Sequence, residues 1–315
     1  MNSSVQDQQR GIGAPLQGRW RWVPSVTRAA ACISSAVLLA LAFPPFDESG
    51  AAWFALVPML VLARHTQPGH SFRWFFAAGI LFWLLNLSWL LRLADTGTTW
   101  WLAGLGWTAL SAYCALYWGA FGLGAAFLFS KSGTGRRLVN ILLMLVLASL
   151  WTGLEYVRSV LCTGFPWTTL AVSQVRNLGL VQAASLGGCY LVSFIIVFVN
   201  AAFCMMAMRI GDVWRRRERT RIQLELAAGL VVLVGAWMWG LDEVRRVRNG
   251  TASWQEIRVA AVQPNIPQLK KWTSEFSAFI YDQLEEQTRL AALGHPAVMV
   301  WPETAVPGVL SAEPE

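Results

Sequence analysis

Charge is what this 315-residue chain has least of. Charged residues make up 14% of it and hydrophobic ones 55%, whereas soluble domains carry about 25% charged residues. That balance excludes an ordinary soluble globular protein. It excludes disorder too, because a disordered chain has few apolar residues and many charges. Cysteine is sparse and badly placed for cross-linking. Cys32, Cys114, Cys162, Cys189 and Cys204 lie in or beside apolar segments, none follows Cys204, and no CxxC pair occurs. Neither a disulfide framework nor a zinc site is indicated, and free Cys in such segments behaves as a small buried hydrophobe. His65, His70 and His295 lack ligand spacing. No GxxxxGKS or GxxxxGKT phosphate loop is present, so Gly119, Gly122 and Gly124 read as close helix contacts. Neither a metal nor a cofactor is expected.

What the chain does have is long apolar runs. They fall at about 26–42, 51–62, 72–93, 100–129, 138–161, 180–208 and 223–241. Eighteen Trp and 16 Phe accompany them, suiting a chain with many membrane–water boundaries, where amphipathic rings collect. A spanning helix needs about 20 apolar residues. Seven spans are therefore expected, the second being the shortest. The fold class is a polytopic α-helical membrane bundle, with residues 1–25 a polar tail and 26–241 the seven-span domain.

The distribution of basic residues orients the bundle. Arg10, Arg19, Arg21 and Arg28 precede the first span. Arg64 and Arg73 lie between the second and third, and Lys131, Arg136 and Arg137 between the fourth and fifth. Arg209, Arg215, Arg216, Arg217, Arg219 and Arg221 lie between the sixth and seventh. Those fifteen fall on one side, against Arg92, Arg158 and Arg176 in the short loops of the other. The positive-inside rule then places the N-terminus in the cytoplasm and residues 242–315 outside. The net charge of +7 is thus a topology signal, and no nucleic-acid partner is expected. Arg28, the apolar run after it and Ala40-Leu41-Ala42 also resemble a cleavable signal peptide. The long polar lead and Phe43-Pro44-Pro45 favour a retained span, and the topology is the same either way.

Beyond residue 241 the composition becomes polar and mixed in charge. Residues 256–263 (EIRVAAVQ) read as a buried strand. Residues 274–293 carry Phe276, Phe279, Ile280, Leu284 and Leu290 at helical spacing, with Thr273 or Ser274 as cap, and 297–301 (AVMVW) read as a second buried strand. Strand, helix and strand in this order form the βαβ start of a parallel sheet. About 70 residues cannot cover both faces of one, so this α/β domain is expected to be incomplete within the 315 residues.

Three places could carry chemistry. Glu303, in Trp301-Pro302-Glu303-Thr304, follows the second strand, where α/β sheets place ligands and a desolvated carboxylate can act as a base; an ordinary solvated loop Glu is the alternative. Gly164-Phe165-Pro166-Trp167 forms a rigid aromatic turn. Phe165 and Trp167 serve there either as belt anchors or as a lipid-facing mouth. Glu155 and Arg158, three apart on one helix face, are intramembrane charges, which flag function by default; a structural ion pair is the competing reading. Asn86 reads as helix–helix glue.

Taken together, these motifs resemble a known family. The stretch from Trp151 to Arg158, then Thr163 to Trp167 and Ser173-Gln174, is similar to the central membrane block of bacterial apolipoprotein N-acyltransferases. Residues 259–267 (VAAVQPNIP), with Gln268, Lys271 and Trp272, resemble the opening of their nitrilase-like domain, and 301–307 (WPETAVP) resembles the segment holding the catalytic glutamate. The resemblance implies an inner-membrane enzyme with an extracytoplasmic nitrilase-like domain, here 242–315. It passes an acyl chain from a phospholipid, through a thioester on an enzyme cysteine, to the α-amine of a diacylglyceryl-cysteine on a lipoprotein. Glu303 matches the general base and Trp272 a tryptophan near the site entrance. The Lys and Cys of the triad have no counterpart after Glu303. These residues alone are therefore expected to be inactive, and a single copy is expected to suffice. The competing reading is a non-enzymatic seven-span lipid- or lipoprotein-binding protein with a vestigial soluble tail.

Overall fold

The computed structural model describes residues 24–132, 137–216, 223–271, 273–303, 305 and 306. The polar tail therefore lies outside the described residues, apart from its last two positions. The described chain forms two compact units, one from residues before 90 together with 105–247, the other from 90–104 together with the residues from 248 onward.

The first unit is helical. Its helices are α1 (Ser25–Leu41), α2 (Val57–His65), α3 (Pro68–Asn86), α4 (Trp100–Lys131), α5 (Arg137–Val160), the short α6 (Leu178–Val181), α7 (Ala184–Arg216) and α8 (Leu224–Thr251). Each apolar run seen in the sequence carries a helix, but the runs are not equally able to span. Among the described residues four helices are long and apolar enough to cross a membrane: α4, α5 with its 3₁₀ extension to Thr163, α7 and α8. A fifth crossing is reached if α3 is joined to the 3₁₀ stretch Ser88–Thr96 across a 43° bend. α1, at 17 residues, is shorter. The 51–62 run is not one helix: a 3₁₀ turn at Ser49–Trp53 breaks before α2, which has nine residues.

That break is held from across the bundle. Asn200 of α7, fully buried, accepts from the Leu56 amide at 2.9 Å and donates to the Ala52 carbonyl at 2.9 Å. Irregular backbone at membrane depth requires such internal partners, because lipid supplies none. Gln174 does the same for the Ser49 carbonyl, at 2.9 Å.

Small residues let the helices approach closely. A Cβ on Gly119 would lie 2.7 Å from the Phe72 ring, one on Gly122 would overlap Phe75, and one on Gly124 would lie 2.6 Å from Leu150. These glycines of α4 thus admit α3 on one side and α5 on the other. α8 turns Val231, Val234, Trp237 and Met238 outward. An exposed apolar face of this kind suits lipid contact.

The second unit contains two three-residue strands, β1 (Val259–Ala261) and β2 (Val298–Val300), paired in parallel with Val259 opposite Val298 and Ala261 opposite Val300. Between them run α9 (Gln268–Lys271) and α10 (Ser277–Ala292). Ile280 and Leu284 of α10 pack on Val262, with Ile266, Phe276, Ala291 and Ala305 around them. Two expectations fail here. The strands are not buried: Val259 is 52% and Val300 50% exposed, because one helix over two strands covers little of the pair. Neither Thr273 nor Ser274 caps by side chain. A 3₁₀ turn at Ser274–Phe276 precedes α10, and the Thr273 hydroxyl donates instead to the Leu269 carbonyl at 3.0 Å.

Candidate functional site

In the second unit, β2 runs into Trp301-Pro302-Glu303. Pro302 cannot donate to a ladder, so the chain leaves the sheet at this point. The Trp301 indole donates to the Thr288 hydroxyl of α10 at 3.1 Å, which pins the segment that carries Glu303. Glu303 is exposed. The Lys271 ammonium donates to its main-chain oxygen at 3.3 Å, while Lys270 lies over Phe276, 5.0 Å from the ring centroid. Glu303 thus stands past the carboxyl end of a parallel strand, with Lys271 bonded to its main-chain oxygen. Trp272 lies outside the described residues. Among the described residues no cluster of His, Cys, Asp or Glu could hold a metal ion.

In the first unit, Glu155 and Arg158 of α5 are both buried, at 6% and 3% exposed. Among the described residues no direct salt bridge joins them, although the two charges share one face of α5. Each finds nearer partners. Glu155 Oε1 accepts from the Trp151 indole at 3.0 Å and from the Leu170 amide at 2.8 Å. Arg158 Nη1 donates to the carbonyls of Phe165 and Trp167, both at 2.8 Å, and the guanidinium lies 4.8 Å from the Trp83 ring centroid. Phe165 returns a bond from its amide to the Arg158 carbonyl at 2.8 Å.

Arg158 therefore clamps the aromatic turn. Within that turn Cys162, Thr163 and Thr168 have positive φ, as has Gly164, and a non-glycine residue stays in this region only where its surroundings over-determine it. Phe165 packs edge-on to Trp83 at 6.0 Å between centroids, and Trp167 stacks on Trp89 at 5.2 Å. The two rings thus have protein partners, and Trp167 remains 56% exposed. Asn86 bonds within its own helix, to the Phe82 carbonyl at 3.0 Å. Sequence reading missed Trp83, Asn200 and Glu225. Glu225, buried at the start of α8, accepts from Arg209 of α7 at 3.1 Å and Asn140 of α5 at 2.7 Å. An acidic residue opening an apolar run was the available signal.

The comparisons with known proteins bear on both units. The family model described as apolipoprotein N-acyltransferase N-terminal domain matches residues 35–202. An apolipoprotein N-acyltransferase of Geobacter metallireducens is 32% identical over 286 residues, 90% of this chain and 52% of that protein. One of Gloeobacter violaceus is 30% identical over 91% of this chain and 52% of its own length. One of Allorhizobium ampelinum is 27% identical over 91% of this chain and 53% of its own. The chain spans about half the length of these curated relatives. With a family match across more than half of its residues, from α1 into α7, the chain belongs to the apolipoprotein N-acyltransferase family.

Proposed function

We propose that these residues form the membrane part and supply the general base of an apolipoprotein N-acyltransferase of the bacterial inner membrane, with residues 242–315 periplasmic and opening a nitrilase-like domain. The acyl donor is a phospholipid and the acceptor the α-amine of a diacylglyceryl-cysteine at a lipoprotein N-terminus. The observation that carries the reading is the position of Glu303, directly past a parallel strand, in a chain of this family. Its carboxylate takes the proton from a cysteine thiol as that sulfur attacks the phospholipid ester. The carboxylic acid so formed returns the proton to the departing lysophospholipid oxygen, and a thioester remains on the sulfur. The amine then attacks the thioester, Glu303 takes a proton from its nitrogen, and that proton passes to the departing sulfur, which regenerates the thiol. A lysine stabilises the oxyanion in both halves. Neither that lysine nor that cysteine follows Glu303 within residues 304–315, so these 315 residues by themselves do not turn over. Phe165 and Trp167 line the lipid-facing mouth, and Trp272 contributes to substrate binding.

A chimera tests this, with residues 1–315 replacing the matching part of the Geobacter relative, assayed in phospholipid vesicles with a diacylglyceryl-cysteine peptide. The expected result is a peptide heavier by one acyl group, with Glu303→Gln lowering the rate at least about 100-fold. Full activity of Glu303→Gln would overturn the assignment. A folded but silent chimera would overturn the reaction.

A further inference from the structure

Glu303 lies on a short stretch beyond the reach of the strand pairing. The ladder ends at Val300, whose carbonyl accepts from the Val262 amide at 2.9 Å, and Pro302, two residues on, has no N–H to offer. Two side chains from outside the sheet grip this stretch. One is Thr288 of α10, whose hydroxyl accepts from the Trp301 indole at 3.1 Å and donates to the Leu284 carbonyl of its own helix. Leu284 belongs to the small core of this unit, so the Trp301 ring is tied to its best-packed part. The other is Lys271, at the end of α9, whose ammonium donates to the main-chain oxygen of Glu303 itself at 3.3 Å.

The neighbouring lysine goes elsewhere. Lys270 lies over two rings, 5.0 Å from the Phe276 centroid and 5.9 Å from that of Phe279. Two adjacent residues of equal charge thus part, and only Lys271 reaches the stretch after β2. A hydrogen bond from an ammonium is charge-assisted and about twice as strong as a neutral one. A general base must stand within hydrogen-bond reach of the proton it takes, and a misplacement of about 1 Å can cost about 100-fold in rate. We infer that Lys271 is a positioning residue for the acyl transfer: it fixes the main chain of Glu303, and Thr288 supplies the second hold through Trp301. Its ammonium is engaged with a backbone oxygen, so it acts through Glu303 and is distinct from the lysine that stabilises the oxyanion. The inference rests on Glu303 being the base.

The test measures kcat and KM separately in the chimera described above, together with hydrogen exchange of the 315-residue chain in detergent over the peptide that holds Glu303. Lys271→Met is expected to lower kcat about 10–100-fold with the KM for the acceptor peptide unchanged, and to speed exchange in that peptide. Lys271→Arg, which still donates, should recover most of kcat. Lys270→Met, an equal loss of charge one residue away, should leave it intact. If Lys271→Met does not fold, Thr288→Val, which keeps the shape and removes the acceptor, takes its place with the same expectation. Full kcat in Lys271→Met while Glu303→Gln is silent would overturn this inference and leave the base in place. Full activity of Glu303→Gln, or a folded but silent chimera, would remove the reading on which it rests. A rise in KM alone would make Lys271 a substrate contact, and an equal loss in Lys270→Met would make the effect one of local charge; either overturns the positioning role.

Discussion

Arg158 shows how much one side chain can hold in an apolar unit. A guanidinium presents five donors in a planar fork and stacks on aromatic faces, and this one uses both properties, on two carbonyls and on Trp83. Replacing it with Met keeps the volume but strands the carbonyls of Phe165 and Trp167, at about 1–3 kcal/mol for each one left without a partner. The expected outcome for Arg158→Met is a lower melting temperature in detergent together with faster protease cleavage between residues 161 and 168. Arg158→Lys should recover only part of this, because an ammonium is a point donor and not a fork. Unchanged melting and cleavage in Arg158→Met would show that the turn is held some other way. The sequence revealed that Arg158 and Glu155 share a helix face but not what they bind. Besides the Trp151 and Trp83 rings, their partners are main-chain groups of residues 165–170, and a backbone carbonyl or amide has no sequence signature.

At the scale of elements, the length of the apolar runs located the long helices of the first unit, since an apolar run in lipid has few alternatives to a helix, but not the short α6 ahead of α7. The same reasoning could not see the break before α2. Its repair comes from Asn200, more than 140 positions away, and nothing local distinguishes that Asn from any other. The glycines of α4 were legible as contacts but not as to which neighbour each admits. A prediction follows from the space around them. Gly122→Ala drives a methyl group into Phe75, which is fully buried and packed edge-on against Phe121. Overpacking of this sort costs about 1–3 kcal/mol. Gly153→Ala on α5 meets nothing within 4 Å, so it should be neutral or slightly stabilising through helix propensity. Melting curves of the two variants in one detergent check the contrast, and equal behaviour would mean that α3 and α4 do not pack through Gly122. In the second unit β-branched runs located the strands, but burial was misread: a run such as AVMVW shows that a strand can be covered, not what covers it.

For the whole molecule the decisive quantity is the side of the membrane on which Glu303 lies, because an acyl transfer to exported lipoproteins needs it outside. Counting spans from the N-terminus is a weak route to that answer, since α1 is short, α2 is broken from its run, and α3 bends into its extension. Counting back from the other end avoids all three. Residues 209–221 carry six arginines, and a single uninterrupted helix, α8, separates them from residue 252 onward. Basic loops are retained in the cytoplasm, so the proposed reading needs only one crossing by α8 to carry the residues after it outside, whatever the earlier helices do. The structure adds that the same end of the first unit gathers the Arg209–Glu225–Asn140 set and the bond from Arg64 to the Phe129 carbonyl at 2.7 Å. The charges there are thus partly consumed in holding α5, α7 and α8 together. Alkaline phosphatase, active only outside the cytoplasm, should therefore be active when fused after Asn249 and inactive when fused after Arg209, with fluorescence of a green fluorescent protein fusion showing the opposite order. The reverse pattern would place Glu303 in the cytoplasm and remove the proposed reaction, whatever the geometry around β2.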